Sequence, residues 1–332
     1  MLLTALGNRT GMWAALAGAG PVTPAQLATR TGVAAPLVRE WCRAQAAGGY
    51  LTYDPAAATF TLPDAVAAAL LHGPGGALVD SCTEMLCSMG AGFEEFAAAF
   101  AAGRGFGWHR RDAQFWQGSD AMTRVALPDE LVGAVLDEVG TVTAALAAGG
   151  SVLDVGSGYG TPTLAVARHA TAAQVTGVDY NEASVAHARR AAADAGLTER
   201  VRFETGSATD LPGSGYALVT FFDSLHDLGE PVAALASARD ALAPDGAVLL
   251  IEPLAADTVE DNLTPSGRMF YAVSTLICTP NAVSQSGVGA PEPLGTQAGE
   301  AVLRETAYAA GFTRVRRIPV EAPLNLVLEL RP

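Results

Sequence analysis

The sequence predicts an α/β protein: a mostly parallel sheet with helices on both faces, preceded by a smaller and mainly α N-terminal unit. Three observations carry that prediction. Short, nearly unbroken apolar runs alternate with helical patterns through the C-terminal half, as strands buried on both faces require. Only the last two runs, over 313–318 and 324–330, are joined by a link too short for a crossover helix, so these two should pair antiparallel. The chain of 332 residues is longer than one such sheet needs, and the spare length lies ahead of residue 151.

In chain order, Thr23 caps a first clear helix with Pro24 in its opening turn and Gly32 at its end. A second helix over 35–47 puts Leu37, Trp41 and Ala44 on one face with Val38 beside them. Alternating residues 50–53 and 59–62 flank Asp54 and Pro55 and predict a hairpin. Helix, turn, helix and hairpin make a winged helix, expected over residues 1–80. Its local charge is slightly basic, since Arg9, Arg30, Arg39 and Arg43 face only Glu40 and Asp54 within residues 1–63. The sign permits DNA, but the second helix has no Lys, Asn or Gln near its start to read base edges. The net charge of −14 also argues against a nucleic acid or an anionic membrane surface as the main partner.

Residues 81–148 read as a helical linker and lid. Phe93, Phe96 and Phe100 share one helical face, a core pattern. Glycines 103, 105 and 107 beside Phe106, Trp108 and His109 predict a flexible segment with an aromatic wall, and a helix over 128–148 leads into the first strand.

Residues 149–332 open on Val152, Leu153, Asp154, Val155, Gly156, Ser157, Gly158, Tyr159 and Gly160, which read as a buried strand and a glycine turn. A helix and a second strand follow, ending on Asp179, an acid suited to a ribose diol about 20 residues beyond such a loop. A nucleoside-containing cofactor is therefore expected. A dinucleotide loop has the spacing G-x-G-x-x-G; here the third glycine falls one residue early, and Thr161 and Pro162 follow. Further strands are expected over 201–205, 216–222 and 247–253, and a helix over 297–309.

This pattern resembles the class I S-adenosylmethionine-dependent methyltransferases, whose Rossmann-like seven-stranded sheet has its last strand antiparallel. The resemblance implies S-adenosyl-L-methionine as cofactor. It further implies that Asp154 orients the amino group directly or through water, that Gly156 and Gly158 pass beneath the cofactor, and that Asp179 holds the ribose. Gly160, Tyr180, Ala208 and Asp223 complete the expected cofactor set. Relatives contact adenine where this chain has residues 206–212. Most of them place an acid after the glycine, but here the residue is Ser207, which leaves Ser207 and Asp210 as alternatives. Small-molecule members commonly carry a winged helix that dimerises, so a homodimer through the N-terminal domain is expected.

Methyl transfer needs an aligned nucleophile, exclusion of water and, for a hydroxyl, a base; no metal is intrinsically required. His226, just after the fourth strand of this sheet and next to Asp227, is the candidate base. His109 is the second candidate; His169 ends a helix, His187 sits on a helix surface and His72 in a loop. An insertion over 262–295 lies on the substrate side, offering Arg268, Tyr271 and Cys278 alongside Trp108 and His109. Arg268 is suited to a substrate carboxylate or to Glu252. The four cysteines show no C-x-x-C spacing, so neither a zinc site nor a disulfide framework is expected. The N-terminus lacks a signal-peptide pattern, and no stretch reads as a membrane span, so a cytoplasmic protein is expected. The reading is a methyltransferase acting on a specialised-metabolite hydroxyl, with nitrogen and carbon acceptors open. Its rivals are an enzyme that uses the bound cofactor for elimination or rearrangement, and a winged-helix regulator with a ligand-sensing domain.

Overall fold

A computed structural model describes residues 1–71, 73–286 and 292–332, without the side chains of 73–75; His72 and the part of the insertion over 287–291 lie outside the described residues. The chain divides into two compact units, Met1–Phe93 with Asp112–Val125, and Glu94–Arg111 with Ala126–Pro332. The connecting segment expected over 81–148 is thus shared between them. Helix Ala113–Ala126 belongs almost wholly to the first unit because Gly118 lets it lie directly on Ser81 and Met85.

In the first unit, helix Pro24–Thr31 starts with a complete capping box between Thr23 and Gln26 and ends on left-handed Gly32. Helix Ala35–Ala47 follows, then strands β1 (Thr52–Asp54) and β2 (Thr59–Thr61), paired antiparallel. The second helix buries Val38, Trp41, Cys42 and Gln45. Leu37, expected on that face, is 66% exposed, because the inward stripe is rotated toward Val38, where Trp13 and Trp41 meet edge to face at 4.6 Å.

The second unit contains a seven-stranded sheet of β3 (Ser151–Val155), β4 (Gln174–Asp179), β5 (Val201–Thr205), β6 (Tyr216–Phe222), β7 (Leu242–Pro253), β8 (Arg314–Arg317) and β9 (Asn325–Arg331). Its spatial order is β5-β4-β3-β6-β7-β9-β8. The strands from β3 to β7 run parallel, and β9 is antiparallel to both β7 and β8. Successive residues feed opposite faces: Val152, Leu218 and Leu249 enter one core, Leu153, Val219 and Leu250 the other. Both faces are therefore covered by helices, which is why these strands are apolar throughout. The chain winds outward from β3 through β4 and β5, then restarts at β6 on the other side. A crevice follows at the carboxyl ends of β3 and β6. The helix expected over 128–148 is broken into Asp129–Asp137 and Gly140–Ala147, with the break at positive-φ Gly140.

Candidate active site

The glycine turn after β3 is held by its own backbone. The amides of Gly156 and Ser157 both donate to the Val178 carbonyl, at 2.8 and 3.0 Å, which ties the end of β3 to β4. Gly156 has φ +75°, and a Cβ there would meet Ser224 at 2.6 Å. A larger residue would be both strained and obstructed. Gly158 N–H donates to Asp179 Oδ2 at 2.9 Å and Asn181 N–H to Asp179 Oδ1 at 2.8 Å, so two amides fix the carboxylate in place. Burial pushes the Asp179 carboxyl up, with these two amides opposing it.

A cleft of about 390 Å³ opens over this turn, within the range of small-molecule sites. Gly156, Asp179, Tyr180, Ser207 and Ala208 line it, together with Leu228 and Gly229 from beyond β6. These five sequence candidates are thus brought together. Gly158 stands behind Asp179, and Gly160 is the left-handed cap of helix Thr161–His169, packed against Phe203. Neither lines the cleft. Asp154, expected at the amino group, is buried behind the wall, where its carboxylate accepts from Thr163 Oγ1 at 2.5 Å and Thr220 Oγ1 at 3.0 Å. Burial pushes it up to about 6 despite those hydroxyls. Asp223 is also turned away from the cleft. Its φ is +48°, its N–H reaches the Ile251 carbonyl, and its carboxylate accepts from Asn325 at 2.8 Å, with burial pushing it up to about 7. Asp210 does not line the cleft; it bridges back to Ser207.

The second part of the site centres on His226, in the turn Leu225–Asp227 that follows β6. Glu252, near the end of β7, accepts Leu225 N–H at 2.9 Å through Oε1 and meets His226 Nδ1 at 2.5 Å through Oε2. His226 Nε2 lies 3.4 Å from Asp227 Oδ1, and Trp108 Nε1 donates to Asp227 Oδ2 at 2.6 Å. Burial opposes charge on the imidazole, but Glu252 and Asp227 outweigh it and hold His226 well above its usual value. Burial likewise pushes Asp227 up, with His226 opposing. Cys278 stands against the same pair; burial and then Asp227 push its thiol up to about 12, so it is not an activated nucleophile.

Asn281 connects the surrounding segments. Its Oδ1 accepts Trp108 N–H at 3.0 Å and Tyr180 O–H at 3.2 Å, and its Nδ2 donates to the Asp227 carbonyl at 2.9 Å. His109 Nδ1 is 3.5 Å from the Tyr180 hydroxyl. Trp108, His109 and Cys278 therefore do gather with the His226 group. Arg268 and Tyr271 do not: they line a separate hollow of about 450 Å³ beside helix Pro265–Val273. Arg268 is exposed there, and Glu252 is already committed to Leu225 and His226. Of the other histidines, His169 pairs with Asp137 at 2.9 Å, while His187 stacks on Tyr159 at 3.7 Å instead of standing in solvent.

Sequence reasoning placed Asn281 in the insertion without a role, missed Thr163 and Thr220, and offered Glu252 only as one of two alternative partners for Arg268, whereas the structure pairs it with Leu225 and His226. An acid closing an otherwise apolar strand was the available signal for Glu252. Asn281 gave none, because its role depends on three segments distant in sequence.

With this geometry in place, comparison with known proteins identifies the class. Residues 146–290 match the family described as "Methyltransferase domain". Residues 1–72 match the "Rv2258c-like winged HTH domain". The chain thus carries a methyltransferase domain, which implies S-adenosylmethionine as donor. More particularly, it is the form with a winged helix-turn-helix domain at the N-terminus. Among curated proteins it is similar to a dimethylglycine N-methyltransferase from Parasynechococcus marenigrum (strain WH8102), at 26% identity over 226 residues, 64% of this chain and 78% of that protein. The fold is shared with the mitomycin 7-O-methyltransferase MmcR, at TM-score 0.69 and 18% identity, covering 100% of this chain and 94% of that one. It is also shared with NcsB1, an O-methyltransferase from neocarzinostatin biosynthesis solved with S-adenosylmethionine and 2-hydroxy-5-methyl naphthoic acid. That likeness has TM-score 0.61 and 22% identity over 99% of this chain and 94% of that one. Human N-acetylserotonin methyltransferase, solved with S-adenosylmethionine, superposes at TM-score 0.66 and 17% identity over 99% of this chain and 93% of that one.

The cleft fits such a cofactor. The Gly156 surface is one a Cβ would obstruct, and Asp179, oriented by two amides, keeps acceptor capacity for a diol. Among the described residues no helix is long and apolar enough to cross a membrane.

Proposed function

We propose that this protein methylates a hydroxyl of a small molecule, using S-adenosylmethionine, and works as a homodimer through its N-terminal domain. The observation that carries the reading is the juxtaposition of the Asp179-walled cleft with the His226–Glu252 pair. Leu228 and Gly229, two and three residues beyond His226, form part of the cleft wall. S-adenosylmethionine supplies a methyl group made electrophilic by its sulfonium. Gly156 lets the backbone approach it, Asp179 holds the ribose diol, and Ser207 with Ala208 bounds the adenine side. Glu252 orients the imidazole and, with Asp227, steadies the charge it gains when the His226 group draws the acceptor's proton. Trp108 keeps water from that carboxylate's outer oxygen.

The O-methyltransferase names of MmcR and NcsB1 support an oxygen acceptor. The dimethylglycine N-methyltransferase relative favours amine nitrogen as the second reading. Homodimerisation is supported by the first helix, which exposes Leu2, Leu3 and Leu6 at 68, 47 and 46%. Sedimentation should therefore give twice the chain mass, and a monomer at micromolar concentration would exclude the dimer.

Isothermal titration with S-adenosylhomocysteine tests the cofactor assignment, and absence of binding would remove it. Incubating phenolic and amine acceptors with a deuterated-methyl donor, followed by mass spectrometry, tests the transfer. Label must enter the product in a transferase and stays out of it in an elimination or rearrangement.

A further inference from the structure

We propose that Glu230 selects the base of the cofactor: its carboxylate accepts a hydrogen bond from the 6-amino group of adenine. The inference deepens the preceding reading and rests on it for the nucleoside in the cleft. Glu230 takes the role that the sequence left open between Ser207 and Asp210.

Among the described residues that line the cleft, only Asp179 and Glu230 carry carboxylates. Asp179 is held by the amides of Gly158 and Asn181 at the ribose position. Glu230 is exposed and makes no hydrogen bond or ion pair through its side chain with any described residue. It stands immediately before helix Pro231–Ala241, yet its side chain does not cap that helix. The positive end of the helix dipole favours a charged carboxylate there. The main chain around it is fixed. Its carbonyl accepts Ala234 N–H at 3.0 Å, and a Cβ on Gly229 would meet Ser286 Oγ at 2.5 Å and the Ala282 carbonyl at 2.9 Å. The chain thus reaches residue 230 by one close-packed path and leaves a free anion on the wall.

The same helix puts Glu230 at the adenine end. Leu211 N–H donates to Ser237 Oγ at 3.2 Å, and Ala208 and Leu211 pack on the core that contains Ala234, Leu235 and Ala238. Helix Pro231–Ala241 therefore lies against the loop over 206–212. Gln285, which also lines the cleft, is drawn toward the His226 group instead, where its Nε2 donates to the Asp227 carbonyl at 3.1 Å.

The two earlier candidates are otherwise occupied. The hydroxyls of Ser207 and Thr209 bond to each other at 2.9 Å, and Ser207 Oγ also accepts Thr209 N–H at 3.2 Å, so both are engaged within their own turn. Asp210 does not line the cleft. An ionised carboxylate only accepts, and the adenine amino group donates, so their bond is charge-assisted. Hypoxanthine carries an oxygen at that position, and two facing acceptors stay unpaired and repel. Glu230 thereby both favours adenine and rejects its 6-oxo counterpart.

The test titrates the full chain calorimetrically with S-adenosylhomocysteine and with S-inosylhomocysteine, which differ only in the 6-substituent and the N1 proton that accompanies it. Wild type should prefer the adenosine ligand by about 10–100-fold. Glu230→Gln should cut that ratio by about 10-fold, chiefly by improving the inosine ligand, because a carboxamide can turn its NH2 toward the oxygen. Glu230→Ala should cut it as well, and Ser207→Ala should leave it within about 2-fold of wild type, since that hydroxyl serves its own turn. A ratio unchanged in both Glu230 variants overturns the assignment. Equal weakening of both ligands also overturns it, because Glu230 then acts on another part of the cofactor. In either case S-adenosylhomocysteine still binds wild type, and the cofactor reading stands. A wild-type chain that binds neither ligand removes the cofactor reading and this proposal with it.

Discussion

The glycine turn after β3 and the His226 group occupy the same end of one sheet, but they are assembled differently. In the turn, main-chain amides of Gly156, Ser157 and Gly158 make the decisive bonds, to Val178 and Asp179. In the His226 group the decisive contacts are made by side chains from separate segments: Trp108, the turn Leu225–Asp227, Glu252 at the end of β7, Cys278 and Asn281. A backbone-built site needs particular residues only where conformation or space forbids others. A side-chain-built site needs nearly every member, since each orients the next. The cofactor half should therefore tolerate substitution except at a few positions, while the acceptor half should fail at almost any.

The largest expected effect is at the centre of the side-chain group. His226→Ala should lower turnover by about 10²–10⁴-fold while S-adenosylhomocysteine affinity, measured by titration calorimetry, stays within a few-fold of wild type. Full turnover in that variant would end the case for His226.

On the backbone side, Asp179→Ala should weaken S-adenosylhomocysteine binding by about 10–100-fold, the worth of charge-assisted hydrogen bonds to a diol, and leave the folded chain otherwise intact. An unchanged dissociation constant would mean the ribose is held elsewhere.

Gly156→Ala tests the conformational requirement, combining left-handed φ with a Cβ 2.6 Å from Ser224. A cost of about 1–3 kcal/mol is expected in chemical denaturation, with cofactor affinity reduced as well. Wild-type stability and affinity would show that the turn can relax.

The smallest effect concerns Asp154, behind the cleft wall. Its folded value of about 6 lies above the usual 3.8, so the folded chain holds this proton more tightly than the unfolded chain. Its contribution to stability is fully present below pH about 4 and falls away as pH rises through about 6. Relative to wild type, Asp154→Asn should therefore gain on the order of 2 kcal/mol between pH 4 and pH 7 in denaturant unfolding. A constant difference across that range would place the titration elsewhere.

How much of this was legible in the sequence follows the same division. The alternation of strands and helices, the antiparallel end of the sheet, the winged helix, and the cleft residues Gly156, Asp179, Tyr180, Ser207 and Ala208 were readable from patterns confined to a few dozen residues, whereas the spatial order of the strands came from the structure. Asp223 misled because its place at the end of β6 suggested the cleft, whereas left-handed φ turns its carboxylate to Asn325 on β9. Arg268 and Tyr271 misled because an insertion after β7 was taken to lie wholly over the acceptor. Among the described residues, the later part over 274–286 is what returns to the His226 group.

What the sequence determined by itself was local: apolar period, glycine positions and capping residues, each acting over a turn or a strand, and through them the fold and the residues that line the cleft. What tertiary structure alone decided was which distant side chains meet. Fifty residues separate Asp227 from Cys278, and more than a hundred separate Trp108 from Asp227. Nothing in the spacing along the chain encodes those contacts, because they are set by how helices pack across the carboxyl edge of the sheet.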